Sequence, residues 1–306
     1  MKIIDLKTNT EINSVPCNTS VAVGNFDGVH KGHTALFECV KKMSADLRTK
    51  SAVWSFDGFS PKNRGRCITL PSERRTLTAE CGIDYLILYD YNDVCSLSCE
   101  EFVKDILIKE CRAESAVCGF NFRFGKGASG DSETLKKLMS ENGKTAFVMP
   151  PYEIDGVTVS SSLIRQLIED GKPEMIEKYL GRPFSVFLPV VHGRHLGRTI
   201  DSPTINQNFP PEHIVPRYGV YACRVIIDGE KYGGVSNVGV RPSVCENGVC
   251  VNCETHIFKY RGDLYNREIR VEFLHFIRPE KKFPSIDELK TAISNDKITA
   301  KKLLKI

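Results

Sequence analysis

No stretch of this sequence is apolar for long enough to cross a bilayer. Spanning takes about 20 consecutive apolar residues, and the longest runs, such as 85–89 and 186–191, are far shorter. A secretory signal is missing too, because Asp5, Lys7 and Glu11 break any apolar core near the N-terminus. Charge of one sign is scarce: the formal net charge is +4 over 306 residues. That balance is too small to announce a chain built around a basic nucleic-acid footprint. The Lys-rich tail 297–305 has no aromatic partners and reads as a solvated helix face. Internal repeats and low-complexity segments are absent. The expectation is a cytoplasmic protein with no nucleic-acid or membrane partner, a monomer or weak homo-oligomer. A hydrophobic content of 41% excludes a disordered chain. At about 100–200 residues per domain, the length predicts two domains or one large barrel.

Cysteine is plentiful, with 12 residues, but paired CxxC units are missing. The nearest thing to a zinc set is Cys245, Cys250 and Cys253 with His256 behind them. A structural zinc site wants four ligands at tight spacing. Here Cys253 and Glu254 open a predicted strand, on which successive side chains face opposite ways. The reading is therefore reduced thiols in a cytoplasmic chain.

The first 180 residues alternate strand and helix. Runs at 21–25, 52–56, 85–89, 116–120 and 146–149 read as strands. Leu36, Val40, Met43 and Leu47 share one helical face. Ser98 and Glu101 form a capping box that opens a helix to about residue 110. Helices at 131–141 and 161–169 stop at Gly143 and Gly171. This alternation predicts a parallel sheet covered by helices. Beyond 181–183 the texture changes. Segments 184–191, 219–227, 231–238, 253–258 and 268–276 read as strands, with an Asp228-Gly229 hairpin and a left-handed Asn266. Several strands with short turns predict an antiparallel barrel. A last helix is opened by Ser285 and Glu288. The predicted domains are 1–183 and 184–306.

Three motifs carry chemistry in the first half. Gly24-Asn25-Phe26-Asp27-Gly28-Val29-His30-Lys31-Gly32-His33 sits at the carboxyl end of a strand and runs into a helix. Ligands bind there in open α/β sheets, and a helix N-terminus offers free N–H groups to phosphate. His30 and His33 are spaced to meet one polyphosphate and to stabilise charge on leaving pyrophosphate. Ser160, Ser161 and Ser162 open a helix with Arg165 one turn in, a second anion clamp. Gly125-Lys126-Gly127-Ala128-Ser129-Gly130 matches the dinucleotide GxGxxG pattern. It does not follow a strand directly, so it reads as a loop beside the nucleotide. Phe122 and Phe124 suit either ring stacking or core packing. In the second half, residues 193–199 could cradle phosphate through backbone amides, yet they do not form a Walker A loop.

With these residues in order, the chain resembles the bacterial bifunctional riboflavin kinase/FMN adenylyltransferase (FAD synthetase) family. The resemblance rests on GNFDGVHKGH, GFNFRFGKGASGD and VSSSLIRQLI in the first half. In the second half it rests on Gly197-Arg198, Pro203-Thr204-Ile205-Asn206, Pro216-Arg217-Tyr218-Gly219, Asn237-Val238-Gly239 and Glu254-Thr255-His256. It implies an α/β nucleotidyltransferase domain with a Rossmann-like parallel sheet, then an antiparallel β-barrel riboflavin kinase domain with terminal helices. ATP with Mg²⁺ would serve both halves, with riboflavin, FMN and FAD as substrates and products. In the first half, FMN phosphate would attack the ATP α-phosphorus. Gly24, Asn25, Phe26, Asp27, Gly28 and Gly32 would surround the phosphates held by His30 and His33. Ser161, Ser162 and Arg165 would hold the triphosphate, and Asn121, Phe122 and Phe124 the flavin. In the second half, Gly193, Gly197 and Arg198 would cradle phosphate, and Thr204 and Asn206 would serve Mg-ATP. Glu254 would be the general base on the riboflavin 5′-hydroxyl. Cys253, beside it, is then expected to be a thiol sensitive to alkylation.

The chain departs from the family pattern at five places. Asp201-Ser202 stands where Gly-Phe is usual, and Ile205 where Ala is usual. Phe56-Asp57-Gly58-Phe59-Ser60 replaces a Phe-Asp-Pro-His-Pro loop, and Ser162 and Ser243 replace threonines. The first of these leaves an alternative open: an adenylyltransferase whose barrel binds flavin without kinase activity.

Overall fold

The computed structural model describes residues 1–5, 14–57, 66–192, 204–245 and 248–306; at residue 5 and at 241–250 only the backbone is described. The chain divides into two compact units, Met1–Ser161 and Ser162–Ile306.

The first unit is a parallel six-stranded sheet in the order β1-β4-β3-β2-β5-β8. Its strands are β1 (Lys2–Asp5), β2 (Thr19–Val23), β3 (Lys50–Phe56), β4 (Tyr85–Tyr89), β5 (Ala113–Gly119) and β8 (Thr145–Met149). Every residue of β2 and of β4 is buried, as befits strands covered on both faces. One face carries α1 (Lys31–Asp46) and α2 (Pro71–Glu80). Leu36, Phe37, Val40 and Leu77 pack there on Ala22, Val53, Leu86 and Leu88. The other face carries α3 (Tyr91–Val94), α4 (Cys99–Glu101) and α5 (Ser132–Glu141). Leu107, Leu135 and Met139 pack on Val21, Ala52, Ile87 and Ala116. Alternate strand residues thus feed two separate cores. The capping box at Ser98 and Glu101 forms, but the helix it opens becomes a π-helix over Phe102–Glu110. Trp54 of β3 meets Phe102 at 5.0 Å, Phe56 at 5.1 Å and Tyr89 at 5.7 Å.

Two small hairpins decorate the first unit: β6 (Arg123–Phe124) with β7 (Gly130–Asp131), and β9 (Glu153–Ile154) with β10 (Val157–Thr158). Next come α6 (Ser161–Glu169) and α7 (Pro173–Leu180). Helix α7 has Pro at its first position and a left-handed Gly181 at its end; it is itself part of the second unit and packs on that unit's β11 and β16.

The second unit is an antiparallel sheet in the order β11-β16-β13-β14-β15-β12. Its strands are β11 (Phe184–Pro189), β12 (Ile205–Asn208), β13 (Gly219–Ile227), β14 (Glu230–Cys245), β15 (Gly248–Ile257) and β16 (Glu268–Pro279). A bridge from Val191 to Asn206 brings the two edges together and nearly closes a barrel. The Asp228-Gly229 turn has positive φ at both residues, 52° and 84°, the geometry of a two-residue hairpin. Gln207 seals the interior by donating to the Leu188 and Ile269 carbonyls at 2.6 and 2.8 Å. The last helix, α8 (Ile286–Leu304), is capped by Ser285, whose hydroxyl accepts from Glu288 N–H. Its Ala300 and Leu304 cover Val220, Ala222, Val235 and Phe258 on the barrel's outer face. Among the described residues, no helix is long and apolar enough to cross a membrane.

Candidate functional site

In the first unit, β2 is followed by β3 and β4 on one side, while β5 lies on its other side. The strand order therefore reverses between β2 and β5, and ligands of open α/β sheets bind outside such a switch point. The loop leaving β2 there is unusually shaped. Phe26, Gly28 and Val29 all have positive φ, 49°, 85° and 39°. For a β-branched valine this is a strained conformation that surrounding structure must hold.

What holds it is a buried polar buckle. Asp27 is 1% exposed, and its carboxylate accepts from Ile68 N–H at 3.0 and 3.1 Å and from Thr69 N–H at 3.2 Å. Gly28 N–H donates to the Thr69 hydroxyl at 3.1 Å. Arg74 of α2 donates to the carbonyls of Asn25 at 3.1 Å and Phe56 at 2.8 Å. Burial lowers the Arg74 pKa, opposed by the nearby charge of Asp27. Thus the Asp27 side chain is turned onto backbone amides rather than outward to a phosphate. Phe26 is likewise a core residue, packed on Phe37 and His33. Asp27→Ala is expected to strip these buried amides of an acceptor and to leave the buried guanidinium short of countercharge. The cost is about 3–5 kcal/mol, read from urea unfolding.

His30 caps α1. Its Nδ1 accepts from His33 N–H at 3.2 Å, so in the neutral ring the proton sits on Nε2. The two imidazoles stack at 3.5 Å with 18° between planes. Gly32 permits this, since a Cβ there would lie 3.2 Å from the His30 ring. Ser161, the first residue of α6, donates its hydroxyl to the Asp27 carbonyl at 2.9 Å. That bond ties the start of the serine motif to the histidine loop. Ser162 and Arg165 follow on the same helix.

Asn121 is exposed on the turn after β5, at the carboxyl end of the strand neighbouring β2. Phe122 is half-buried and stacks on Phe124 at 5.5 Å. Phe124 itself is 6% exposed and packs against Phe102, so it serves the core. The GxGxxG run is the turn between β6 and β7. A Cβ on Gly125 or Gly130 would lie 2.7 or 2.6 Å from Cys99 Sγ. Those glycines answer to close packing on α4, which accounts for a dinucleotide-like pattern outside the usual strand–helix setting.

The second unit gathers the other set. Glu254 of β15 lies opposite Asn206 of β12 and Asn237 of β14. It lines a cavity of about 170 Å³ with Thr204, Asn237, Arg278, Phe283 and Ile293. Arg278 holds Asp296 of α8 through two bonds, 2.9 and 2.7 Å, a fork-to-carboxylate pair. Its guanidinium lies 5.5 Å from the Phe283 ring. Arg278, Phe283 and Asp296 escaped the sequence reading. The Arg-x₄-Phe spacing after a predicted strand was the available signal. Gly193, Gly197, Arg198, Asp201 and Ser202 lie outside the described residues, as do Gly58, Phe59, Ser60 and the Ser243 side chain.

The expectation for Cys253 needs correction. Strand alternation puts Glu254 on the cavity face and Cys253 inside the barrel, fully buried. Burial pushes its thiol up to about 11, against hydrogen bonds from Thr255 and Ser236. Iodoacetamide at pH 8 should therefore leave Cys253 unlabelled in the native protein and label it only after unfolding, as peptide mass spectrometry would show. The Cys245 and Cys250 side chains lie outside the described residues.

Comparison with known proteins matches each half of the chain to a family. A sequence model of the FAD synthetase family matches residues 12–163, and one of the riboflavin kinase family matches residues 180–304. The bifunctional riboflavin kinase/FMN adenylyltransferase of Escherichia coli strain K12 is 35% identical over 288 residues, covering 92% of this chain and 91% of that protein. The Bacillus subtilis strain 168 protein described in the same words is 32% identical, covering 90% of each. Among solved structures, one described as a macrolide-efflux protein from Streptococcus pneumoniae superposes with a TM-score of 0.85 at 30% identity, covering 98% of each chain.

Proposed function

Because the chain belongs to the bifunctional riboflavin kinase/FMN adenylyltransferase family, we propose that it makes FMN from riboflavin and then FAD from FMN, using ATP with Mg²⁺ in both steps. The observation that carries the reading is the presence of both family matches on one chain. We assign the adenylyltransferase to residues 1–183 and the kinase to 184–306. Family matches over 12–163 and 180–304 support one activity in each half.

In the first module, an FMN phosphate oxygen attacks the α-phosphorus of ATP. The new P–O bond forms as the bond to the β-phosphate bridging oxygen breaks, and pyrophosphate leaves. Such a step needs positioning and charge stabilisation rather than a covalent intermediate. His30 and His33 meet the phosphates with the N-terminus of α1. Ser161, Ser162 and Arg165 hold the rest of the triphosphate, and Asn121 with Phe122 borders the flavin. Phe26, Asp27 and Phe124 act by shaping the loop and core.

In the second module, Glu254 accepts the proton of the riboflavin 5′-hydroxyl as that oxygen attacks the γ-phosphorus and ADP leaves. The Thr204 hydroxyl and the Asn206 carbonyl are hard oxygen donors of the kind Mg²⁺ takes. Bound there, the ion would neutralise phosphate charge. The cavity beside Glu254 has apolar walls from Phe283, Leu289 and Ile293 suited to a flat heteroaromatic ring. Gly193, Gly197 and Arg198, outside the described residues, are assigned to phosphate binding on the family resemblance alone. We assign the protein to the cytoplasm, as a monomer or weak homo-oligomer without nucleic-acid partners.

The test is chromatography of flavins after incubation with riboflavin, ATP and Mg²⁺. FMN and FAD should both appear. FAD made from added FMN while riboflavin stays untouched would remove the kinase half of the reading.

A further inference from the structure

The cavity face of β15 carries a contact that the reaction scheme leaves unused. Asn252 lies two residues before Glu254, and so on the same face of the strand. It is 4% exposed. Its Nδ2 donates to Glu254 Oε1 at 3.1 Å and to Asn206 Oδ1 at 3.3 Å. Among the described residues, no other side chain has a hydrogen bond to the Glu254 carboxylate.

The hydrogen bonding admits one assignment. An ionised carboxylate accepts and never donates. Asn252 must therefore present its NH₂ end to Glu254. The second N–H of that group then points to Asn206, which must offer its carbonyl. One amide group thus orients two neighbours. Without it, an exposed glutamate with three rotatable torsions has nothing else described here to select its rotamer. A general base works within about 2.6–3.2 Å of the proton it takes. Misplacement by about 1 Å can cost about 10²-fold.

We propose that Asn252 is a positioning residue of the kinase half: its amide NH₂ fixes the carboxylate of Glu254 toward the riboflavin hydroxyl and sets the carbonyl of Asn206 in the same act. This rests on Glu254 being the base, as proposed above. The role differs from ordinary strand-edge stabilisation, because it predicts a loss of turnover without a loss of binding.

The experiment compares Asn252→Ala, which removes the donor, with Asn252→Asp, which keeps the size but sets a second carboxylate against Glu254, with Glu254→Gln and with the double variant Asn252→Asp/Glu254→Gln, all in the full chain. In both Asn252 variants, kcat for riboflavin phosphorylation should fall about tenfold to a hundredfold. KM for riboflavin, and its Kd from flavin fluorescence, should stay within about twofold of the unaltered protein. FMN adenylylation should be unchanged, which certifies the fold. In the Glu254→Gln background, adding Asn252→Asp should lower the residual kinase rate by a smaller factor than it does in the unaltered protein, because only the Asn206 contact is left to lose. The proposal is overturned if either Asn252 variant keeps kcat within twofold, if KM and Kd rise while kcat holds, if adenylylation falls in parallel, or if Asn252→Asp costs as large a factor beside Glu254→Gln as it does alone. If Glu254→Gln itself keeps full kinase activity, the base assignment fails and the positioning role with it. A dead Glu254→Gln beside a fully active Asn252→Asp sinks this inference alone.

Discussion

Glu254→Gln stops riboflavin phosphorylation and leaves FMN adenylylation at its full rate. The substitution keeps size and polarity, and the exposed end of residue 254 makes no core contact that the change would break. Its Oε1 can still accept from Asn252. What disappears is the ability to take a proton, and a positioned base is worth about 10²–10⁴ in rate. Initial rates of ADP release with riboflavin, beside pyrophosphate release with FMN, separate the two activities. A retained kinase rate would remove Glu254 from the chemistry. A parallel loss of adenylylation would show that the two activities do not run on separate sites.

His33→Ala does the reverse: adenylylation falls about 10²–10³-fold, the scale of losing one preorganised charge-stabilising group, while riboflavin phosphorylation is kept. His33 is the cleaner choice of the pair. His30 accepts the helix-capping bond from the backbone N–H of residue 33, and that N–H survives an alanine. Removing His30 would add a lost cap of about 1 kcal/mol to any chemical effect. His33 is also only half-buried. FAD formation from FMN, measured at saturating and at limiting ATP, decides whether the loss lies in turnover or in nucleotide affinity.

The fold was legible wherever apolar residues carried the pattern. Strand 85–89, helix 161–169 and strand 219–227 fall where periodicity and turn residues put them. Helix α2 was invisible for a physical reason. It buries Glu73, Arg74, Leu77 and Thr78, so three of its four inward residues are polar and no apolar stripe exists to read. Its Pro71 start and the left-handed Gly82 beyond its end were the remaining signals. Helix α7 had the same punctuation in Pro173 and Gly181. The start of the π-helix could be read from Ser98 and Glu101, but hydrophobic spacing does not separate five-residue from four-residue bonding over nine residues.

The candidate sites divide the same way. Motif residues such as His30, His33 and Glu254 announce themselves by type and order. Their supports do not. Asp27 reaches forward about forty residues to Ile68 and Thr69, and Arg74 crosses to Asn25 and Phe56. Arg278 meets Asp296 from another element altogether. Such partners are set by tertiary proximity, which a single sequence does not encode in its local pattern.

The sequence has one tryptophan, and Trp54 sits in the aromatic cluster of the first unit, 2% exposed. Indole emission from this protein therefore belongs to one module alone. The barrel contributes tyrosine light and no more. Selective excitation of Trp54 follows the melting of the sheet unit by itself, and far-ultraviolet dichroism follows both. Any gap between the two curves measures how far the modules unfold as separate thermodynamic bodies.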